Sequence, residues 1–360
     1  MVLEAFNNPL VKREFDIPRL ESGQVLVRLR ASGVCGSDVH MWKGEDPRTP
    51  LPLIPGHEGV GDVADIGGGK TDVDGRPLAV GDTIVWNRGV TCGGCRYCAV
   101  LKEPSLCTNR LVYGITESSA DPPHLNGCYA EYIVLRKGTD IFTVSPDVDP
   151  AVLVPASCSG ATAAHAFDAV EGGLVGRTVV VQGPGPVGMF AVAFAKSLGA
   201  SDIAVIGGTQ SRLDLTKDFG ASLLLNRRET SAEDRLEAVL SRTNRRGADV
   251  VIEAAGTKGA VEEGIRLLRK GGLYLSTGFS QPAGTEAIDF YRDIVSRNIR
   301  IQGVWVSDSG HVKRAVDLLL AEPQTFAKLV THRFGLDRAN DALAAVDSRE
   351  AAKAVLTFET

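Results

Sequence analysis

The stretch Thr178-Val-Val-Val-Gln182-Gly183-Pro184-Gly185-Pro186-Val187-Gly188 decides the fold of this 360-residue chain. Its first five residues are typical of a short buried strand, and a helix is expected over Met189–Ala200. The glycines between them have the G-x-G-x-x-G spacing of a dinucleotide-binding loop. Gly183 permits the turn, Gly185 lets a pyrophosphate approach the backbone, and Gly188 lets helix and strand pack closely. Phosphates are then expected at the helix N-terminus.

Strands and helices alternate after this loop. The alternation predicts an α/β domain with a doubly wound parallel sheet and right-handed crossovers. The expected strands are Asp202–Ile206, Ser222–Leu225, Asp249–Glu253 and Leu273–Thr277, and the expected helices are Ser211–Phe219, a helix from about Ser231 and a helix near 258–270.

The choice between NAD and NADP stays open at this point. A ribose-binding carboxylate is expected at the end of the second strand, but Asp202 begins that strand and therefore lies at the wrong edge of the sheet. The end of the strand reads Gly207-Gly208-Thr209-Gln210-Ser211-Arg212, which has no carboxylate. Thr209, Ser211 and Arg212 could instead hold a phosphate.

Four of the seven cysteines fall within sixteen residues, at Cys92, Cys95, Cys98 and Cys107. Cysteines three apart can turn their sulfurs toward one point, and four thiolates around Zn²⁺ form a closed structural site. An iron–sulfur cluster uses similar spacing and is the main alternative. The odd cysteine count and the absence of a leader argue against a disulfide framework.

A second metal site is predicted from Cys35, His57 and Cys158. Two thiolates and a neutral imidazole leave zinc a fourth position open, which is the catalytic type of site. Glu58 is either a transient fourth ligand or a neighbour of the ligands. Asp38 is the natural partner for the other nitrogen of His57.

Composition excludes several function classes. Apolar residues make up 44% of the chain and charged residues 23%, which is ordinary for a globular protein. The net charge of −5 gives no long-range attraction to nucleic acid or to an anionic membrane. No secretory leader and no membrane-spanning helix are expected, so a cytoplasmic location is predicted.

Together these motifs resemble the zinc-containing medium-chain dehydrogenase/reductase family of the alcohol dehydrogenase type. The resemblance covers nearly the full length, and it rests on Gly-Val-Cys-Gly-Ser-Asp, Gly-His-Glu, the four-cysteine loop and Gly-Pro-Gly-Pro-Val-Gly. It implies a mainly-β GroES-like catalytic domain over residues 1–158 and 297–360, carrying a structural zinc lobe. It also implies a Rossmann domain over 159–296 and a homodimer or homotetramer.

The resemblance also implies residue roles and two zinc ions with NAD or NADP. Ser37 would take the substrate proton, and His40 would be the outer base of the relay. The eight residues between Cys98 and Cys107, where the family usually has seven, predict a bulge in the lobe. The implied cofactor contacts are Thr162, Gly183, Gly185, Pro186, Val187, Gly188, Gly207, Arg212, Gly256, Gly278 and Lys353.

The predicted function is hydride transfer between NAD(P) and a small alcohol or ketone, with a secondary or cyclic alcohol favoured. A polyol or sorbitol-type dehydrogenase is one alternative, although polyol members often have Glu at the position of Cys158. A catalytically inactive dinucleotide-binding protein is an alternative of another class. Four aromatic residues are expected either to line an apolar pocket or to lie in the core, namely Trp42, Trp86, Phe279 and Trp305.

Overall fold

The computed structural model describes residues 1–358. Residues 1–158 form one compact unit with the chain from Ser307 onward, and Ser159–Val306 form a second. The sequence analysis expects the chain to return to the first unit at residue 297. The return lies instead at Ser307, because the strand Arg300–Gly303 is still part of the second unit's sheet.

The first unit is built on a largely antiparallel sheet. In the described chain its strands are β1 (Val25–Val34), β2 (Gly59–Ile66), β3 (Thr83–Trp86), β6 (Tyr132–Leu135), β7 (Ile141–Thr143), β14 (Val330–Gly335) and β15 (Lys353–Thr357). Their order is β14-β15-β1-β2-β3-β7, and β6 also pairs with β1. A separate two-stranded ladder joins β4 (Gly89–Val90) and β5 (Leu111–Val112).

The central strand β1 shows why this sheet forms. Successive side chains of a strand point to opposite faces. Val25, Val27 and Leu29 pack in one buried cluster, whereas Leu26 and Val34 pack in another. The sheet is therefore covered on both faces, which holds the loops at its ends in fixed positions. The helices of this unit are α1 (Gly36–Lys43), α2 (Pro150–Leu153), α8 (Ser309–Ala321), α9 (Pro323–Ala327) and α10 (Ala339–Asp347).

The second unit is the predicted doubly wound parallel sheet. Its strands are β8 (Thr178–Gln182), β9 (Asp202–Gly207), β10 (Leu223–Asn226), β11 (Ala248–Glu253), β12 (Leu268–Ser276) and β13 (Arg300–Gly303). The order β10-β9-β8-β11-β12-β13 is that of dinucleotide-binding folds. Its helices are α3 (Ser159–Ala166), α4 (Pro186–Ser197), α5 (Gln210–Phe219), α6 (Ala232–Arg242) and α7 (Ala260–Leu267).

The predicted strand–helix alternation is confirmed, with small differences at the boundaries. α4 begins at Pro186 rather than Met189, because proline fits the first turn of a helix. β12 begins at Leu268, directly after α7, rather than at Leu273. Among residues 1–358, no helix has both the length and the apolar character needed to cross a bilayer.

Candidate metal centres and cofactor loop

The four clustered cysteines converge on one point in the first unit. Their sulfur atoms all lie within 4.8 Å of one another. The Cys95–Cys98 and Cys92–Cys107 sulfur pairs are each 3.5 Å apart. Thiolates placed tetrahedrally at about 2.3 Å from zinc stand roughly 3.8 Å apart, so the set fits a structural zinc ion.

The lobe that carries these cysteines contains a wide turn. Tyr97–Leu101 forms a single π-helical turn, and Lys102 then adopts a left-handed conformation with φ of 58°. A π turn accommodates one residue more than an α turn. The segment between Cys98 and Cys107 runs through this turn, and Cys107 still reaches Cys92.

The second metal cluster joins residues that are far apart in the sequence. One ligand atom each from Cys35, His57, Glu58 and Cys158 lies within 4.8 Å of the others. Cys35 sits between β1 and α1, and the Gly-His-Glu turn leads directly into β2. Cys158 follows a 3₁₀ turn at Val154–Ser157. The sheet thus brings all four predicted groups to one place.

Asp38 orients His57 as the sequence analysis expects. The Asp38 Oδ1 atom lies 3.2 Å from His57 Nδ1, and both side chains are buried. Asp38 Oδ2 also accepts a hydrogen bond from the Cys35 backbone N–H at 2.7 Å. Burial opposes the charged imidazole, but the Asp38 carboxylate outweighs it and raises the pKa of His57 to about 10. Nδ1 is occupied by Asp38, so Nε2 is the nitrogen left for a metal.

Glu58 is held by Lys353, which corrects the expected place of that lysine. The resemblance implies that Lys353 faces the cofactor pyrophosphate. Its side chain is instead 1% exposed, and its ammonium donates to Glu58 Oε2. Burial raises the pKa of Glu58, and Lys353 opposes that rise. Gly33 is required beside the pair, because a Cβ there would lie 2.0 Å from Glu58 Oε2.

The donor set suits zinc. Two thiols and an imidazole are ligands that zinc prefers, and three protein ligands leave the catalytic position open. Glu58 Oε1 is buried and has no hydrogen-bond partner among the described residues. An unpaired carboxylate oxygen within this cluster indicates a cation nearby.

Ser37 and His40 lie on the same helix, α1, beside the metal cluster. Ser37 Oγ is 4.0 Å from Cys35 Sγ. His40 lies near the end of the helix and is partly exposed. Its Nδ1 atom is 2.5 Å from Glu45 Oε2. The sequence analysis missed Glu45, and a carboxylate five residues from a histidine is too common a pattern to reveal such a pairing.

The glycine-rich loop has the geometry of a phosphate site. Gly183 has φ of 107°, and a Cβ on Gly188 would lie 1.9 Å from the Gly183 carbonyl oxygen. A Cβ on Gly185 would meet no atom within 4 Å, so its backbone is open to a ligand. Gly185 is the N-cap of α4 and provides no side-chain cap. Pro186 and Val187 form the first turn, whose N–H groups can bind a phosphate.

The end of β9 is positively charged rather than acidic. A Cβ on Gly207 would lie 2.5 Å from Pro184 Cγ, so the phosphate loop itself occupies the space of a side chain there. A Cβ on Gly208 would lie 3.5 Å from both Arg227 Cγ and Arg228 Nε. The sequence analysis named Arg212, on α5, but missed these two arginines, which follow β10 and come close only in the folded sheet.

Gly256 and Gly278 follow β11 and β12 at the same edge of the sheet. Both donate their backbone N–H to the carboxylate of Glu253, at 2.5 and 3.2 Å. Glu253 is 0% exposed and ties the two loops together, a role the sequence analysis missed. Thr162 lies on α3 of the same unit and is half-buried.

Of the four candidate pocket aromatics, Trp86 is a core residue and Trp42 is partly buried against the core. Trp86 is 1% exposed within the sheet core of the first unit. Trp42 packs against the other buried cluster, and its indole N–H donates to the Asn8 carbonyl at 2.7 Å. Phe279 and Trp305 both lie in the second unit.

Known proteins share this arrangement. Residues 21–146 match the alcohol dehydrogenase GroES-like domain, and residues 186–321 match the zinc-binding dehydrogenase family. The 5-exo-hydroxycamphor dehydrogenase of Pseudomonas putida is 34% identical over 93% of this chain and 91% of its own length. An alcohol dehydrogenase structure from Thermotoga maritima is 50% identical, with a TM-score of 0.97 over 100% of this chain and 98% of that one. A Sinorhizobium meliloti protein described as a zinc-binding dehydrogenase, solved with bound NADP, is 26% identical, with a TM-score of 0.86 over 99% and 98%.

Proposed function

The chain belongs to the zinc-containing medium-chain dehydrogenase/reductase family of the alcohol dehydrogenase type, and we propose that it oxidises secondary or cyclic alcohols with NADP. It is a zinc-dependent oxidoreductase that transfers hydride between an alcohol and NAD(P). The observation that carries the proposal is the convergence of Cys35, His57 and Cys158, with Glu58 beside them and paired to Lys353 through Oε2. Two thiolates and an imidazole are the ligands of a catalytic zinc site, which keeps a further position for substrate.

The residues around the cluster have separate tasks. Cys35, His57 and Cys158 would hold a zinc ion, which acts as a Lewis acid and lowers the pKa of a hydroxyl bound to it. Asp38 fixes the ring of His57. Ser37 would accept the substrate proton, and His40 would pass it to solvent from its exposed position on α1. Glu45 positions the imidazole of His40 for that exchange.

NADP is favoured by the charge at the end of β9. A carboxylate there would bind the ribose hydroxyls of NAD, whereas arginine accommodates the 2′-phosphate of NADP. Gly207 leaves no room for an acidic side chain, and Arg227 and Arg228 approach Gly208. The S. meliloti neighbour was solved with NADP bound, which supports the same cofactor here.

A cyclic or secondary alcohol is supported by the P. putida relative, whose name gives hydroxycamphor as its substrate. A polyol substrate has no comparable support, and Cys158 stands where polyol members often have Glu. A catalytically inactive protein is disfavoured, because the ligand atoms converge and Ser37 lies beside them.

The test is absorbance at 340 nm with secondary alcohols, cyclic alcohols and diols, each with NADP and with NAD. We expect turnover to be at least tenfold more efficient with NADP, since hydrogen bonds to a charged group contribute about 1.5–3 kcal/mol. Arg228→Ala should reduce that preference, and Arg292→Ala, an exposed arginine of the same unit, should leave it unchanged. Equal use of both cofactors would overturn the NADP assignment. If the Cys158→Ala variant kept its turnover, the assignment of the catalytic site would be wrong.

Assembly through β13 is the second part of the proposal. This strand is the edge of the parallel sheet and its four residues are exposed, and Phe290, Tyr291 and Val295 near it in sequence are exposed as well. Unpaired strand edges with apolar neighbours favour pairing with another chain. Ile301→Lys should therefore shift a dimer toward the monomer in light scattering. The cytoplasmic location stays a prediction.

A further inference from the structure

Two arginines flank the short β4–β5 ladder of the first unit. Arg88 precedes β4 and is 6% exposed. Its Nη1 donates to the Ser157 carbonyl at 3.1 Å, directly before Cys158. Arg110 precedes β5, and its guanidinium lies over Gly89, where a Cβ would be 2.2 Å from Nε and Nη2. A side chain at position 89 would collide with the Arg110 guanidinium, so this position requires glycine. Pairing of β4 with β5 brings Arg110 beside Arg88.

The guanidinium of Arg110 lacks partners for most of its donors. Nη2 donates to the Ser307 carbonyl at 3.0 Å. Nε and Nη1 are buried, and within residues 1–358 neither has a hydrogen-bond partner. A buried donor that is left unsatisfied on a charged group destabilises the folded protein, because it has lost its hydrogen bonds to water and gained none in return. Such a group in a folded protein therefore needs a ligand or solvent that the polypeptide does not supply.

Arg110 lies among other arginines. Burial lowers the pKa of Arg110 to about 9, repulsion from Arg88 and Arg48 adds to that effect, and the charges of Cys107 and Asp308 oppose it. The carboxylates nearby already have partners. Asp46 accepts both Nε and Nη2 of Arg48, at 2.9 and 2.6 Å. Asp308 caps α8 and contacts His311 Nδ1 at 2.8 Å.

We propose that Arg88 and Arg110 form an anion-binding subsite next to Cys158 of the catalytic metal cluster, and that the alcohol oxidised by this enzyme carries a carboxylate or phosphate group. The proposal rests on the proposed function for the hydroxyl end of the substrate. Guanidinium forks match the oxygens of both anions. Because Arg88 is anchored next to Cys158, an anion held here would fix the distance between its own charge and the reacting hydroxyl.

Binding tests the subsite without turnover. Zinc-loaded enzyme with saturating NADP is titrated calorimetrically with cyclohexanecarboxylate and with its neutral isostere cyclohexanecarboxamide. The carboxylate should bind at least about tenfold more tightly, from hydrogen bonds to charged donors. This comparison uses the unmodified protein and does not depend on any variant folding. Equal affinities would overturn the proposal.

Variants of Arg110 show whether the carboxylate binds the arginines or the metal. Arg110→Gln should abolish the preference for the carboxylate, and Arg110→Lys should keep part of it. Arg136→Gln removes a half-buried arginine that pairs with Glu117 elsewhere in the unit, and it should leave the preference unchanged. A preference that persists in Arg110→Gln would show that the carboxylate binds the metal directly, which would overturn the subsite.

Turnover then identifies the anion and separates the two proposals. The pairs are 4-hydroxycyclohexanecarboxylate with cyclohexanol, and glycerol 3-phosphate with glycerol, compared by kcat/KM. A gain of at least about tenfold for either anionic member supports the subsite and tells carboxylate from phosphate. Oxidation of cyclohexanol without any such gain overturns the anionic substrate and leaves the dehydrogenase function standing. Arginine-dependent carboxylate binding without oxidation of any alcohol supports the subsite and contradicts the proposed substrates.

Discussion

Replacing Lys353 with Met should destabilise the first unit by leaving Glu58 buried without its cation. The lysine ammonium and the Glu58 carboxylate are 1% and 0% exposed, and they meet across 295 residues of sequence. Met fills nearly the same volume, so packing on β15 is preserved. The change therefore tests the charge pair rather than the core.

The size of the loss in unfolding free energy follows from the burial of both Lys353 and Glu58. Removing one member of a buried ion pair costs about 3–5 kcal/mol, because the remaining charge stays desolvated. Removing both is often close to neutral. We expect a loss of about 3 kcal/mol for Lys353→Met and recovery of most of it in the double variant Glu58→Gln/Lys353→Met. Lys313→Met breaks an exposed pair with Asp317 and should cost no more than about 0.5 kcal/mol.

The assay is urea unfolding at pH 5.5 and pH 8 of protein from which the catalytic metal has been removed. Burial already raises the pKa of Glu58, and Lys353 opposes the rise, so the variant should raise this pKa further. A carboxyl whose folded pKa exceeds its unfolded value loses stability as pH rises. The penalty should therefore be larger at pH 8 than at pH 5.5. A pH-independent penalty, or a double variant no better than the single one, would refute a buried ion pair as the cause.

Three further predictions follow from the same sites. Cys158→Ala should reduce zinc from two ions to one per chain by metal analysis and abolish turnover while NADP binding persists; retained turnover would contradict the ligand assignment. Because Asp38 raises the pKa of His57 to about 10, the metal-free imidazole holds a proton that zinc must displace. Zinc affinity at this site should therefore rise between pH 6 and pH 9 with proton release in calorimetry, and a flat profile would contradict the pairing. Gly207→Asp should clash with Pro184, cost about 1–3 kcal/mol in unfolding and weaken NADP binding; tight NADP binding by a stable variant would contradict the packing.

Local pattern predicts most of the second unit. Five of its six strands and four of its five helices are expected from periodicity, whereas α3 is not expected and β13 is assigned outside this unit. The loop at Gly183 is fixed by a backbone conformation that few residues other than glycine adopt. The structural zinc lobe is equally local, since its four sulfurs fall within sixteen residues. The first unit differs, because the resemblance rather than periodicity supplied its GroES-like fold.

Contacts across long sequence separations could not be predicted. Lys353 has no local feature that indicates Glu58 as its partner, so the resemblance placed it at a phosphate. Arg227 and Arg228 were not considered in the sequence analysis, because only parallel pairing brings the end of β10 beside the end of β9. Glu45 and Glu253 are ordinary acidic residues whose roles depend on which backbone or imidazole N–H lies opposite them.

Unsatisfied polar atoms within the first unit connect these observations. Glu58 Oε1 is a buried acceptor, and it lies within a set of ligands that suits a cation. Arg110 Nε and Nη1 are buried donors, and they lie among other guanidiniums. Among the described residues, these particular atoms have no hydrogen-bond partner, although Glu58 Oε2 is paired with Lys353 and Arg110 Nη2 donates to Ser307. The sign of each orphaned group therefore predicts the sign of the ligand it meets in the working enzyme, a zinc ion at Glu58 and an anionic substrate group at Arg110.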